Sequence, residues 1–249
     1  MFHILYKEDD DLSNLDGGPP LNGPGNPKPE PPQRPNVNEQ WNSLMQDERV
    51  QKARQTSKQY SGYFLNALKA PYATMKSVSP AHSLNGWITM VLIAVLSSFY
   101  FLTWFLKWDI SPAFGPGFLK PLLLTALSLA VAFGLTYAVL RMEKVNPDLR
   151  LLAAQFGTLL VPAVAVLALA VLFLMFSLYS FSTYLLMLAF LFIFVAINSV
   201  IFQYPIRALS GRIDTTYLIV TGNAATGYLL FKLVASVISG AVGGIFSGF

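Results

Sequence analysis

An uncharged stretch from residue 151 to residue 206 constrains this chain more than any other feature of its sequence. As one straight helix it would be about 84 Å long, nearly three times the ~30 Å hydrocarbon thickness of a bilayer. The stretch must therefore turn back on itself. Polar and aromatic residues cluster at 179–183, so we predict the turn there, between membrane spans at about 156–178 and 184–202.

Three further apolar stretches are long enough to cross a bilayer, at about 86–106, 119–140 and 224–246. Backbone polar groups in lipid must be paired within their own segment, which makes each stretch a helix; the alternating pattern of a membrane β-barrel is missing. Composition agrees, because 54% of residues are hydrophobic and only 12% are charged. We predict an all-α integral membrane protein whose five-helix transmembrane bundle occupies residues 81–249.

The residue types that carry most enzyme chemistry are scarce in this sequence. It contains no cysteine and only two histidines, His3 and His82. We find no phosphate-binding loop, no nucleophile elbow and no zinc-protease motif. His82 precedes the first span and is interpreted as an interfacial polar residue rather than as a general base. We therefore predict that the protein is not an enzyme, with no catalytic residues, no cofactor and no metal site.

Charge is segregated along the N-terminal part of the chain. Residues 1–48 contain nine acids and three bases, and residues 49–80 contain six bases and no acid. Residues 1–40 are rich in proline and are predicted to form a disordered acidic tail. Within it, the segment 32–35 fits a P-x-x-P docking pattern, but we favour a stiff spacer because this pattern arises readily in any proline-rich tract.

The basic segment, residues 41–80, precedes the first span directly. Its apolar residues Tyr60, Tyr63, Phe64, Ala67 and Leu68 recur at helical spacing. An amphipathic basic helix in this place is expected to lie in the headgroup region, where it contacts anionic lipid, or to bind a partner protein; nucleic acid is not expected. The residues predicted to make that contact are Lys52, Arg54, Lys58, Lys69 and Lys76.

The distribution of lysine and arginine predicts the orientation. With a cytoplasmic N-terminus, the inner segments 49–76, 141–150 and 207–212 carry six, three and two bases, whereas the outer segments carry only Lys107 and Lys120. Because positive charge collects on the cytoplasmic side, we predict the N-terminus inside and the C-terminus outside.

Two features of the fifth span stand out. Small residues recur at four-residue steps and predict a helix-packing seam, either within the bundle or between copies, against the simpler reading of a low-complexity terminus. These residues are Ser236, Gly240, Gly244 and Gly248. Lys232 is a charge embedded in the span; it either snorkels to the interface or has a structural, lipid-binding or transport role. Ion-coupled carriers need intramembrane carboxylates, and none of the predicted spans contains one.

Residues 60–249 resemble the bacterial branch of the Yip1 family and related uncharacterised multi-span membrane proteins of Gram-positive bacteria. The resemblance lies in a polar tail, the pre-membrane segment 63–75 with its Pro71, five spans, and the segment 156–162. This chain lacks the cysteine-based zinc ribbon that begins many Gram-positive relatives, and the tyrosine-glycine-proline motif of eukaryotic members is absent before the first span. The resemblance implies a non-enzymatic bundle linked to membrane trafficking or to export systems, and it implies a bacterial plasma membrane as the location.

These observations favour a non-catalytic membrane scaffold or accessory protein, with partners among anionic lipids, other membrane proteins or further copies of itself. The alternative is a component of a permease or transporter for a small molecule or a peptide. An intramembrane enzyme that uses His82 is a third hypothesis.

Overall fold

The computed structural model describes residues 48–204 and 215–246. The chain divides into two units, Met1–Val50 and Gln51–Phe249, and the fold described here is that of the second. The predicted tail at 1–40 and the seam residue Gly248 lie outside the described residues. Lys52 and Gly244 are described only by their helical backbone.

Within 48–204 and 215–246 every regular element is helical, which confirms the predicted all-α class. A 3₁₀ turn, Pro80–His82, precedes the third helix, and a π-helical turn, Gly115–Leu119, precedes the fourth. The α-helices are α1 Glu48–Lys69, α2 Pro71–Ser77, α3 Ser83–Lys107, α4 Lys120–Met142, α5 Leu149–Met175, α6 Tyr179–Gln203 and α7 Thr215–Phe246. The last five are long and apolar enough to cross a membrane.

Four of the five spans begin earlier than hydropathy alone predicts, and the differences are largest for α5 and α7. Helix α5 starts at Leu149 instead of 156, because the Asp148 carboxylate caps it by accepting a hydrogen bond of 2.9 Å from the Arg150 N–H. Helix α7 starts at Thr215 instead of 224. At α5 the capped first turn therefore extends the helix beyond the start that hydropathy predicts.

The turn between α5 and α6 lies at residues 176–178, and our placement of it at 179–183 is wrong. Ser177 takes a left-handed backbone conformation with φ of 62°. The hydroxyl groups of the polar cluster instead bond to helix carbonyls: Thr183 Oγ1 donates to Tyr179 O, and Ser182 Oγ donates to Ala170 O on α5. These residues form the first turns of α6 because helical carbonyls satisfy their hydroxyls.

Helix α5 is the centre of the bundle. Residues 152–164, which form the first half of α5, are all buried, so other parts of the protein surround this half on every side. Helices α3 and α6 make its most extensive contacts, and α2 and the 3₁₀ turn cover it further. Helix α7 packs mainly against α4 at the edge of the bundle.

The close approach of α3 and α5 depends on two glycines. A Cβ added to Gly86 would lie 2.1 Å from the Ala153 carbonyl oxygen, and one added to Gly157 would lie 2.2 Å from the Gly86 Cα. The two backbones therefore touch, which is the closest packing that membrane helices achieve and which only small residues permit.

Candidate functional site

The candidate site is a cleft of about 530 Å³ between α1 and the segment that leads into α3. Its lining contains no Lys, Arg, Asp or Glu, and most of the residues carry hydroxyl or amide groups. The lining residues are Thr56, Gln59, Tyr63, Asn66, Thr74, Ser77, Val78, Ala81, His82, Leu84 and Asn85. Such a lining suits a ligand that exchanges hydrogen bonds rather than one held by charge.

One wall of the cleft is α1, which two tyrosines fix to the bundle. The Tyr63 hydroxyl lies 2.9 Å from Thr158 Oγ1 on α5, and the Tyr60 hydroxyl lies 3.2 Å from Thr89 Oγ1 on α3. Thr158 already donates its proton to the Ala154 carbonyl at 2.6 Å. Its oxygen therefore accepts, and Tyr63 is the donor in that pair.

The same pattern holds at the second contact. Thr89 Oγ1 donates to the Asn85 carbonyl at 2.9 Å, which leaves its oxygen to accept from Tyr60. Each hydroxyl pair is thus directional, with a phenol on α1 pointing to a threonine that is anchored to its own helix. Because Tyr60 and Tyr63 are three residues apart, they lie on one face of α1.

Apolar packing supports these hydrogen bonds. Ala67 is completely buried against Val161 of α5, together with Tyr63, which is 7% exposed. Leu65 and Leu68 of the same helix remain exposed. The predicted apolar stripe therefore divides into a part that packs on the bundle and a part that is exposed. Helix α1 ends at Lys69, two residues before Pro71.

Burial keeps both phenols protonated. It raises the pKa of Tyr63 to about 12, with the hydrogen bond to Thr158 acting in the opposite direction. Burial also raises the pKa of Tyr60, against the effect of its bond to Thr89. Both tyrosines are consequently neutral donors at physiological pH, as their contacts require.

The opposite wall is held by local hydrogen bonds around His82. The Ser79 N–H donates to His82 Nδ1 at 3.2 Å, and Ser79 Oγ lies 3.0 Å from the same nitrogen. Thr74 Oγ1 donates to the Asn66 carbonyl at 3.2 Å and so ties α2 to the end of α1. His82 therefore shapes the turn at the rim of the cleft through an accepting Nδ1.

The basic residues predicted to contact lipid or a partner lie outside the cleft lining. Arg54, Lys58, Lys69 and Lys76 are all exposed. Lys76 Nζ lies 4.5 Å from the centre of the exposed Tyr72 ring, a cation–π distance. The structure thus separates a polar cleft from the lysine and arginine side chains on the surrounding surface.

The predicted seam and the embedded charge of α7 have different surroundings. A Cβ at Gly240 would lie 2.9 Å from the Pro116 Cβ, so this glycine faces the π-helical turn inside the bundle, while Ser236 is half-buried. Lys232 is exposed, and its Nζ lies 5.5 Å from the centre of the Tyr228 ring. The structure does not bring Lys232 together with the cleft.

Two parts of this arrangement were not recognised in the sequence. The cleft residues Thr56, Gln59, Tyr63 and Asn66 follow three- and four-residue spacing, a polar stripe beside the apolar one that could have been found. Gly86 and Gly157 lie on different helices, and no local pattern pairs them. Within the described ranges, no group of three His, Asp or Glu residues is arranged to hold a metal ion.

The fold defines the chain as a helical membrane-type protein with five spans. No protein family matches it, and no solved structure matches it significantly. It is similar to a Bacillus subtilis (strain 168) protein designated "Uncharacterized protein YvbI", with 29% identity over 121 residues. The similarity covers 49% of this chain and 52% of that protein, so the chain spans about half of the relative's length.

Proposed function

We propose that this protein is a non-catalytic membrane scaffold or accessory protein that presents the α1 cleft to a polar partner segment in the cytoplasm. The observation that carries the proposal is the attachment of α1 to the membrane helices through the Tyr63–Thr158 hydrogen bond. A juxtamembrane helix held in one position offers a preformed surface, and a preformed surface loses less entropy when a partner binds.

The chemistry of the cleft supports a binding role. Its hydroxyl and amide lining can donate to and accept from peptide groups or headgroup oxygens. On the orientation predicted from the basic residues, the cleft opens at the cytoplasmic surface. Exposed lysines and arginines of α1 and α2 would then contact anionic headgroups and hold the cleft at the membrane surface. The resemblance to the bacterial Yip1 family points to the same kind of role.

A pair of tryptophan substitutions on adjacent residues tests this proposal. Asn66→Trp places a large ring in the cleft, whereas Leu65→Trp places the same ring on the exposed side of α1, where Leu65 is 55% exposed. The full-length variants would be expressed in their native host, extracted in a mild detergent and sized on native gels beside the purified protein.

We expect the wild-type protein and Leu65→Trp to migrate in a larger complex, and Asn66→Trp to migrate as the purified protein does. A complex that tolerates Asn66→Trp, or the absence of any complex, would contradict the proposal. Solute efflux from liposomes that contain this protein alone would instead favour the permease alternative.

A further inference from the structure

Lys232 lies near the middle of a helix that is long and apolar enough to cross a membrane, and it is exposed. A Cβ at Gly227 of α7 would lie 3.6 Å from Phe194 of α6. Five residues further along α7, Lys232 is therefore level with the central part of α6, which spans Tyr179–Gln203. The bilayer centre is about 15 Å from either hydrocarbon boundary.

The direction of Lys232 follows from the helix itself. The buried residues Leu230, Leu233 and Val237 define the face of α7 that packs on the bundle. Lys232 and Tyr228 lie on the opposite face, and both are exposed. Snorkelling serves lysines near helix ends, so a lysine at this depth is left with an expensive charge in lipid.

Among the described membrane-spanning helices no carboxylate is present to neutralise this charge. None of the five spans contains Asp or Glu. A second copy of the chain that packed on this face would place another Lys232 at a similar depth in the membrane. It would bring no Asp or Glu to pair with either lysine. Like charges in a medium of low dielectric constant repel strongly, so a second copy is the wrong occupant.

The rest of this face permits a close helix–helix contact. Ala235, Ser239 and Gly243 follow at four-residue steps on the same side of α7 as Lys232. Ser239 and Gly243 are exposed, and a Cβ at Gly243 would meet nothing within 4 Å. Small residues let two backbones approach, which would bring a partner's side chain within reach of the Lys232 ammonium.

We propose that this face of α7 binds a transmembrane helix of a different membrane protein, one that carries an Asp or Glu near the bilayer centre. The carboxylate would pair with Lys232, and the small residues Ala235, Ser239 and Gly243 would receive the partner backbone. The inference rests on the proposed accessory role and names a kind of partner for it. Its test involves α7 and not the α1 cleft, so the two proposals fail independently.

The test uses synthetic transmembrane peptides of leucine and alanine with Asp, Asn or Leu at the central position. Full-length protein, labelled at a single cysteine introduced as Ser111→Cys, is reconstituted with labelled peptide, and association is measured by energy transfer. We expect the Asp peptide to bind about tenfold more tightly than the Leu peptide, with the Asn peptide between them.

Variants identify the residue responsible. Lys232→Met should abolish the preference for Asp, and it should fold because it removes a charge from lipid. Lys232→Arg should keep the preference. The matched control Lys120→Met removes an exposed lysine at the start of α4 and should change nothing. Equal binding of Asp and Leu peptides, an unaltered preference in Lys232→Met, or energy transfer between differently labelled copies of the chain that the peptides abolish would each overturn the proposal.

Discussion

Gly86 and Gly157 are in backbone contact: a Cβ atom added to Gly157 would lie only 2.2 Å from the Gly86 Cα. This contact joins α3 to α5 one turn or less from Thr89 and Thr158, the two residues that accept the tyrosine hydroxyls of α1. The crossing of the spans and the attachment of the juxtamembrane helix are therefore neighbouring parts of one structure.

Gly157→Ala should destabilise the protein by about 3 kcal/mol or more, because the backbone of α3 must move away to make room. Thermal unfolding in detergent and folding yield measure the effect. Gly134→Ala is the matched control on α4, where a Cβ would meet nothing within 4 Å. That control should be neutral or stabilising by up to about 1 kcal/mol, since alanine favours the helix. Equal stability of the two variants would contradict the backbone contact.

Tyr63→Phe should loosen α1 by about 1 kcal/mol, the usual net value of a neutral hydrogen bond. Thr158→Val should cost a similar amount, and the double variant little more than either, because the two side chains share one bond. Hydrogen exchange of the α1 amides reports the loosening. Ser61→Ala removes only a local bond from Ser61 Oγ to the Lys58 carbonyl and should leave exchange unchanged. Strictly additive effects of Tyr63→Phe and Thr158→Val would show that the bond contributes nothing.

Alkaline pH should release α1. The docked state raises the pKa of Tyr63 from 10.0 to about 12, so the docked form holds its proton more tightly than the free form. Docking is therefore fully stable below pH 10 and weakens as pH rises towards 12. The tyrosinate absorbance of the wild-type protein minus that of Tyr63→Phe should show a midpoint near 12. A midpoint near 10 would mean that Tyr63 is not buried against α5.

The orientation predicted from the basic residues has a direct test. Lys107 Nζ donates to Ser177 Oγ at 3.2 Å, so the loops after α3 and α5 share one end of the bundle. We expect Ser111→Cys to react with an impermeant maleimide on intact cells. Asn146→Cys, in the loop between α4 and α5, should react only after permeabilisation. The natural chain has no cysteine, so the unmodified protein is the blank. The reverse pattern would invert the orientation.

Hydropathy was a good guide to the spans and a poor guide to their ends. The uncharged stretch 151–206 required a turn, and the structure has one, but at 176–178. The error came from treating Ser182 and Thr183 as turn residues, although their hydroxyls bond helix carbonyls. The stripe on α1 was likewise visible in the sequence, but the partner of Tyr63 lies 95 residues away on α5.

The sequence by itself determined the helical membrane class, because lipid leaves no other way to pair the backbone of such long apolar stretches. The tertiary structure decided which faces meet. Lipid tails are as apolar as the helix surfaces, so the hydrophobic effect does not determine which helix faces meet. The contacts depend instead on shape and on a few hydrogen bonds. For that reason only the fold shows that Gly86 meets Gly157, that Gly240 faces Pro116, and that Lys232 points outward.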